Sequence, residues 1–199
     1  MKLNQLFEKT GTEKLAFCFG RLNPPTVGHA HLFDVLADAG TNYRIFVSGT
    51  QDQKKNPLSF EEKVNFIQKM NPVHAEHVSL NKGLNTVVKV AVNLYDAGFR
   101  NVVFVAGDDR RDIFDMLTTY NGVEGKAHGY YKFDTLEFQS SGARDPDSDG
   151  IESVSASTAR QKALEGDFEG FESATGAGEY TKELYNAVRA GLGIKNESS

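Results

Sequence analysis

Residues 20–29 read GRLNPPTVGH, and this stretch decides the fold. An apolar run from Lys14 to Phe19 precedes it and indicates a buried strand. Residues Gly28 to Ala39 follow with apolar side chains on one face, which predicts a helix that stops near Gly40. A loop rich in glycine and proline between such a strand and helix predicts the first βα unit of an α/β protein.

The rest of the chain continues this alternation of strand and helix. Further strands are predicted over residues 43–48, 102–106 and 132–139. Helices are predicted from Ser59 to a stop at Pro72, along the stripe from Leu84 to Leu94, around residues 113–117, from Ser155 to Gly166, and at the C-terminus around Phe168, Phe171, Leu184, Tyr185 and Val188. This order predicts a parallel sheet flanked by helices, with C-terminal helices packing back on it and ligands bound at the carboxyl ends of the strands.

The composition bounds the class of protein. Of 199 residues, 39% are hydrophobic and 25% are charged, so we expect one globular domain over residues 1–195 and a disordered tail over residues 196–199. The formal charge of -5 argues against nucleic acid as the main partner. The single cysteine, Cys18, is expected in the core and fits a reducing compartment, and no segment approaches the ~20 apolar residues of a membrane span. We therefore expect a cytoplasmic protein without a membrane partner, and a homo-oligomer stays open.

The loop at residues 20–29 has features that suit a bound phosphate. Its prolines hold an extended geometry, and Gly20 and Gly28 allow close backbone approach. His29 falls in the first turn of the next helix, whose exposed N–H groups and dipole favour an anion. An imidazole there can stabilise charge on a departing pyrophosphate, so His29 is a catalytic candidate; the alternative is a helix-capping or core histidine.

The same loop resembles the G-x-F-x-P-x-H-x-G-H signature of the cytidylyltransferase-like nucleotidyltransferases, which include cytidylyltransferases, phosphopantetheine adenylyltransferase and the adenylyltransferases of NAD synthesis. The matching positions are Gly20, Pro24, Gly28 and His29. Leu22 replaces the usual aromatic and Thr26 replaces the first histidine, as threonine does in some adenylyltransferases of NAD synthesis.

The resemblance implies a Rossmann-like fold of the nucleotidyltransferase type. It also implies catalytic roles for His29 and for Thr26, whose hydroxyl would donate to an α-phosphate oxygen. The nucleotide contacts that it implies in this loop are Gly20, Arg21, Asn23, Pro24 and Gly28.

A second phosphate-binding element of the family, I-S-S-T-x-x-R, has its counterpart in residues 154–160, VSASTAR. Serines at a helix start add hydroxyl donors to the exposed N–H groups, and an arginine one turn along can fork onto terminal phosphate oxygens. The resemblance gives these roles to Ser155, Ser157 and Arg160, while Ala156 replaces a serine. Taken alone, the stretch would indicate a capped helix with a surface arginine.

Residues 48–59, SGTQDQKKNPLS, resemble the loop after the second strand in adenylyltransferases of NAD synthesis. The resemblance gives Lys54 and Lys55 contacts to the acceptor or the triphosphate. The alternative is a pair of solvated lysines on a mobile loop.

The stretch Gly107-Asp108-Asp109 stands where the family carries a G-[ST]-D element near the nucleotide. The resemblance therefore implies nucleotide contacts from Gly107 and from Asp109, which we favour over Asp108. A hydrated Mg²⁺ is the expected cofactor, bound mainly through the NTP phosphates.

The acidic stretch DPDSDG at residues 145–150 mimics the opening of an EF-hand calcium loop. Such a loop needs a glutamate at its twelfth position, which here is Ala156. We therefore expect a solvated acidic loop and no metal site built by the protein.

Two functions follow from these patterns. The first is a nucleotidyltransferase that moves a nucleoside monophosphate from ATP or CTP to a small phosphorylated acceptor, with nicotinamide or nicotinate mononucleotide as the preferred acceptor and a phosphorylated alcohol as the next choice. The run from Lys54 to residues 144–147 also resembles small nucleotidyltransferase-like proteins of tailed bacteriophages. The second is therefore an inactive nucleotide-binding or virion-associated phage protein that keeps the fold.

Overall fold

Four parallel strands form the sheet in the part of the chain that the structure describes. The structure is a computed structural model that describes residues 13–40, 42–142 and 155–194. The strands are β1 (Lys14–Gly20), β2 (Asn42–Val47), β3 (Asn101–Ala106) and β4 (Thr135–Ser140), in the order β2-β1-β3-β4. Because β1 pairs with β2 on one side and with β3 on the other, the sheet has a topological switch point at the carboxyl end of β1.

Helices cover both faces of this sheet. The helices are α1 (Val27–Asp38), α2 (Phe60–Met70), α3 (Val87–Asp96), α4 (Arg111–Tyr120), α5 (Ala156–Glu165), α6 (Phe168–Thr175) and α7 (Thr181–Gly191), with short 3₁₀ helices at Pro72–His77, Asp108–Arg110 and Gly178–Tyr180. The predicted α/β fold with a parallel sheet and flanking helices is confirmed.

Alternate side chains of the strands build two cores. On one face, Phe17 and Phe104 pack with apolar residues of α3 and α4. On the other face, Cys18 and Val105 pack with apolar residues of α1 and α2, and Cys18 is 1% exposed, as expected for a core residue. Strands buried on both faces explain the unbroken apolar runs in the sequence.

The C-terminal helices form a third core with α2. Phe171, Leu184 and Val188 are fully buried there, against Phe66 of α2 and Leu58, which precedes it. The C-terminal helices therefore pack back on the domain as predicted. They also cover the segment between β2 and α2, which reaches the site described below.

Side-chain caps fix several boundaries that the sequence predicted. Ser59, the predicted start of a helix, forms a capping box with Glu62: the Ser59 hydroxyl accepts from the Glu62 N–H at 3.2 Å, and the Glu62 carboxylate accepts from the Ser59 N–H at 2.8 Å. Ser155 caps α5, which ends at Gly166 with a left-handed φ of 77°.

Two boundaries differ from the sequence prediction. β4 begins at Thr135, three residues later than expected, because the Asn121 side chain accepts from the N–H of Phe133 at 2.8 Å and donates to its carbonyl at 3.1 Å. These are the backbone groups that a strand ladder would use. The stripe that begins at Leu84 becomes helical only at Val87, because the Thr86 side chain caps the helix there.

Some predicted features lie outside the described residues. These are the acidic stretch at residues 145–150 and the tail at residues 196–199. In the described part of the chain, no helix has the length and apolar character needed to cross a bilayer.

Candidate active site

A cleft opens where β1 and β3 end, at the switch point of the sheet. Its cavity volume is about 190 Å³, and its mouth is open to solvent. Its described lining residues are Phe19, Gly20, Arg21, Leu22, Asn23, His29, Leu32, Lys55, Val105, Ala106, Gly107, Arg110, Ile113, Ser155, Ala156, Ser157 and Arg160. The first turns of α1 and α5 both reach this space.

Most of the predicted site residues meet in the cleft, and several do not. Those that line it are Gly20, Arg21, Asn23, His29, Lys55, Gly107, Ser155, Ser157 and Arg160. The predicted residues that are not among its lining are Pro24, Thr26, Gly28, Lys54 and Asp109. Residues of both segments that resembled family motifs, from 20–29 and from 155–160, therefore line the same cleft.

The ring of His29 is held by Thr26. Nδ1 of His29 accepts a hydrogen bond from the Thr26 backbone N–H at 3.1 Å and lies 3.0 Å from the Thr26 hydroxyl oxygen. Because a backbone N–H can only donate, Nδ1 carries no proton in this arrangement, and the proton of the neutral ring lies on Nε2. His29 therefore brings an imidazole with a fixed tautomer to the wall of the cleft.

Thr26 lies behind His29 instead of facing the cleft. It is 2% exposed, and its hydroxyl is turned to the imidazole. The expectation that this hydroxyl donates to an α-phosphate oxygen does not fit this geometry. Thr26 instead caps α1 and orients the ring of His29.

Leu22 departs from the family signature and from ordinary backbone geometry. Its φ of 49° lies in the left-handed region, which costs a residue with a side chain roughly 1–2 kcal/mol. The side chain is 2% exposed and packs with Phe33 and Leu36 of α1. Burial of the leucine side chain offsets this backbone cost. The buried leucine stands where the signature has an aromatic residue.

Asn23 joins three segments at the edge of the cleft. Its side chain, 1% exposed, donates to the Leu58 carbonyl at 2.9 Å and accepts from the Leu58 N–H at 3.0 Å. Its own carbonyl accepts from Arg160 Nη1 at 2.7 Å. The side chain of Asn23 therefore holds two loops together. Its contact with a nucleotide stays a prediction.

Arg160 reaches the cleft from α5 next to a second cation. The pKa of the Arg160 guanidinium is lowered, mainly by burial and then by the charge of Arg21, while Asp52 raises it. Arginine stays protonated despite such a shift. The two guanidinium groups therefore repel one another, and a bound anion would relieve that repulsion.

Positive charge dominates the cleft. Arg21, Lys55, Arg110 and Arg160 line it, and its described lining includes no carboxylate. Two helix starts add partial positive charge. At one of them, the Ser155 hydroxyl accepts from the Thr158 N–H at 3.3 Å and lies 2.6 Å from the Ser157 hydroxyl. The arrangement suits a polyanion.

Arg110 was missed by the sequence analysis. It follows Gly107-Asp108-Asp109 directly, and that adjacency was a signal that could have identified it. Its Nε lies 3.3 Å from the Asp109 carboxylate, which folds back toward Gly107. Asp109 therefore contacts Arg110 instead of lining the cleft.

An apolar wall was also missed. It consists of Phe19, Leu22, Leu32, Val105 and Ile113, from five separate segments. Four of these residues were predicted in strands or helices and Leu22 in the loop of residues 20–29, and the sequence does not say which apolar residues border a cavity. An apolar wall beside a cationic floor suits a ligand with a ring and phosphates.

The segment between β2 and α2 is organised by Asp52. The Asp52 carboxylate accepts from the N–H groups of Lys54 and Lys55 at 2.9 and 2.7 Å, and these bonds, together with one from Asn56, hold the pKa of Asp52 well below its usual range. This turn directs the Lys55 side chain to the cleft and leaves Lys54 exposed outside it.

Comparisons with known proteins agree with this fold. A structure of a bifunctional NMN adenylyltransferase/ADP ribose pyrophosphatase from Francisella tularensis is similar, with a TM-score of 0.52 and 14% identity. The likeness covers 89% of this chain and 52% of that one, so this chain spans about half its length. A structure of that bifunctional protein complexed with AMP and Mn ion gives the same TM-score at 15% identity, over 89% of this chain and 52% of that one.

A putative nicotinate-nucleotide adenylyltransferase from Vibrio parahaemolyticus is also similar. Its TM-score is 0.50 at 15% identity, over 86% of this chain and 99% of that one. No family model matches the sequence, and no curated protein matches it. At these identities the likeness shows the fold alone, a Rossmann-like α/β fold that matches those structures.

Proposed function

We propose that the protein is a nucleotidyltransferase that transfers a nucleoside monophosphate from an NTP to a small phosphorylated acceptor and releases pyrophosphate. The observation that carries this proposal is the cationic cleft at two helix starts, which is lined by His29, by Arg160 and by apolar side chains that suit a base. Both helix starts lie at the switch point of the sheet, where such folds bind nucleotides.

The chemistry needs no nucleophile from the protein. The acceptor phosphate attacks the α-phosphorus in line, and a bond from that phosphorus to the pyrophosphate oxygen breaks. His29 donates from Nε2 to phosphate oxygens on which charge develops, and Arg160, Arg21 and Lys55 bind the leaving pyrophosphate. The residues of the chain act by positioning and by stabilising charge.

A divalent cation fits this proposal as a companion of the nucleotide. Among the described residues, no group of three or more His, Cys, Asp or Glu side chains could hold an ion. The phosphates of the nucleotide would hold the ion. When bound, Mg²⁺ neutralises phosphate charge.

The acceptor we propose is nicotinamide or nicotinate mononucleotide, with ATP as the donor. The names of the similar structures support this choice, as does the likeness of residues 48–59 to the loop of adenylyltransferases of NAD synthesis.

A screen for pyrophosphate release tests the proposal. Each of the four NTPs with Mg²⁺ would be combined with nicotinamide mononucleotide, nicotinate mononucleotide and phosphorylated alcohols, with His29→Ala as the control for contaminating activity. We expect release that depends on both substrates and on His29. If the protein binds an NTP but releases nothing with any acceptor, the inactive nucleotide-binding protein becomes the better description.

A further inference from the structure

Lys63 is a buried lysine that the proposed chemistry does not use. It lies in α2, and its exposed fraction is 0%. Its ammonium group donates to the Ser48 carbonyl at 2.5 Å and to the Thr50 carbonyl at 3.4 Å. The side chain thus reaches from the helix to the point where the chain leaves β2.

Burying an ammonium group costs free energy, so the groups that bind the Lys63 ammonium indicate what the residue stabilises. Burial lowers the pKa of Lys63 to about 8, Glu61 on the same helix raises it, and Lys82 on the neighbouring loop lowers it. An apolar side chain of the same length would avoid the desolvation cost but would leave two backbone carbonyls with one donor fewer. The position of those carbonyls is therefore what the lysine stabilises.

The two carbonyls belong to a segment that we call the β2 loop, residues 48–58. Lys63 binds the start of the β2 loop, and the paired hydrogen bonds of Asn23 with Leu58 bind its end. Between these points, the Asp52 turn presents Lys55 to the cleft. A loop held at both ends places Lys55 at a defined position.

We propose that Lys63 is a positioning residue: it fixes the β2 loop and, through Lys55, sets the affinity of the cleft for phosphorylated ligands. The effect on ligand affinity rests on the proposed function, whereas the ordering of the loop does not. Both parts can be measured separately.

Hydrogen exchange tests the ordering of the loop. In Lys63→Met, exchange of the Lys54 and Lys55 amides should be faster by about tenfold, while the amides of β3 change less than about twofold. Lys69→Met is the matched control, because Lys69 lies on the same helix but pairs with Glu183 at the surface. Unchanged loop exchange, or equal acceleration in the loop and in β3, would overturn the proposal.

A second variant and a pH series keep this test decisive if Lys63→Met does not fold. Lys63→Arg keeps a charged donor and should restore loop exchange to within about threefold of the wild type. In the wild type, loop exchange corrected for its intrinsic rate should rise relative to β3 as the pH passes about 8, because a neutral amine is a weaker donor. A constant ratio between pH 7 and 9 would contradict the assigned role.

A double-mutant cycle tests the effect on affinity, with ATP as the probe and calorimetry as the measurement. Lys55→Ala and Lys63→Met should each weaken ATP binding by roughly three- to tenfold, and the double variant should be no weaker than Lys55→Ala alone. Additive losses would show that Lys63 does not act through Lys55 and would overturn the proposal. If the wild type binds no ATP, the proposed function fails, and the exchange experiment still decides the role of Lys63 in the loop.

Discussion

The cleft depends first on how single side chains are held. Thr26 stands where the family signature has a histidine, yet it orients His29 through its backbone N–H, which any residue except proline would supply. The added contact of the Thr26 hydroxyl with Nδ1 is the part that depends on the side chain. The ring of His29 is therefore held without a histidine at position 26.

His29→Ala should lower turnover with little effect on binding. If Nε2 of His29 stabilises charge that develops on the pyrophosphate, its removal should reduce kcat by about 100- to 1,000-fold and change the Kd for NTP by less than about tenfold. Thr26→Ala should cost less than about tenfold in kcat, because the backbone N–H still holds the ring. Steady-state kinetics with an active substrate pair and calorimetry for binding measure both. Near-normal turnover of folded His29→Ala would make the residue structural.

Arg160→Lys should weaken the binding of ATP more than that of AMP. Nη1 of Arg160 already donates to the Asn23 carbonyl, and the rest of the guanidinium fork is the part that can bind phosphate oxygens. A lysine ammonium lacks this planar fork, so it cannot keep the Asn23 carbonyl and also place two parallel donors on a phosphate. Arg189→Lys is the control, since Nη1 of Arg189 donates to the Ala163 carbonyl at 2.7 Å in a similar way but in the C-terminal core. Equal losses for ATP and AMP in calorimetry would remove Arg160 from the terminal phosphates.

Boundaries of helices and strands were predicted from the sequence where neighbouring residues set them, and were mispredicted where distant residues do. The capping box of Ser59 and the glycine stop at Gly166 involve neighbours in sequence, so their boundaries were predicted correctly. The start of β4 was predicted wrongly because Asn121, twelve residues earlier, holds the backbone of Phe133. Resemblance alone connected residues 20–29 with residues 154–160. Arg110 was missed, because its place in the cleft depends on how the turn at Asp108–Arg110 packs.

Asn23→Ala should destabilise the fold and weaken the cleft together. It removes two hydrogen bonds and leaves the backbone groups of Leu58 unpaired in a buried place, which should lower the free energy of unfolding by roughly 2–4 kcal/mol. Asn121→Ala is the matched control, because Asn121 makes the same pair of bonds with Phe133 away from the cleft. Urea denaturation should show similar losses in both variants, whereas ATP affinity should fall only in Asn23→Ala. An equal fall in both would mean that general destabilisation explains it.

At the scale of the whole molecule, charge is distributed unevenly. The chain has a formal charge of -5, yet its cleft is lined by four cations and no carboxylate among the described residues. A negative surface repels polyanions at long range, while the cleft attracts a small one at short range. This contrast favours a small phosphorylated ligand over a nucleic acid.

The same molecule should gain stability from Lys63 as the pH rises. The pKa of Lys63 is about 8 in the folded state, against 10.5 for an unperturbed lysine, so between these pH values the unfolded state holds a proton that the folded state has released. The free energy of unfolding should therefore rise from about pH 8 by up to about 3 kcal/mol. Cys18 acts in the opposite direction, because burial raises its pKa to about 12 and the unfolded thiol ionises near pH 9. Urea denaturation of the wild type and of Lys63→Met from pH 7 to 10 measures this, because the difference between their free energies of unfolding isolates the contribution of Lys63. A difference that does not change with pH would contradict the lowered pKa of Lys63.

ATP should raise the melting temperature by an amount that reflects the whole site. A ligand that binds only the native state stabilises it by about 2.7 kcal/mol at a hundredfold excess over Kd, which for a domain of this size means roughly 5–10 °C. Because four cations and two helix starts face the cleft, the shift should increase from AMP to ADP to ATP and should shrink in high salt, which screens exposed charge. Mg²⁺ should preserve the order, since it would be bound through the phosphates. Differential scanning fluorimetry of the wild type and Arg160→Lys measures the order of the shifts with AMP, ADP and ATP, and its dependence on the Arg160 guanidinium. Arg189→Lys is the control. Equal shifts for AMP and ATP would mean that the cations do not reach the terminal phosphates, and no shift with any of the four NTPs at millimolar concentration would argue against a nucleotide site in this cleft.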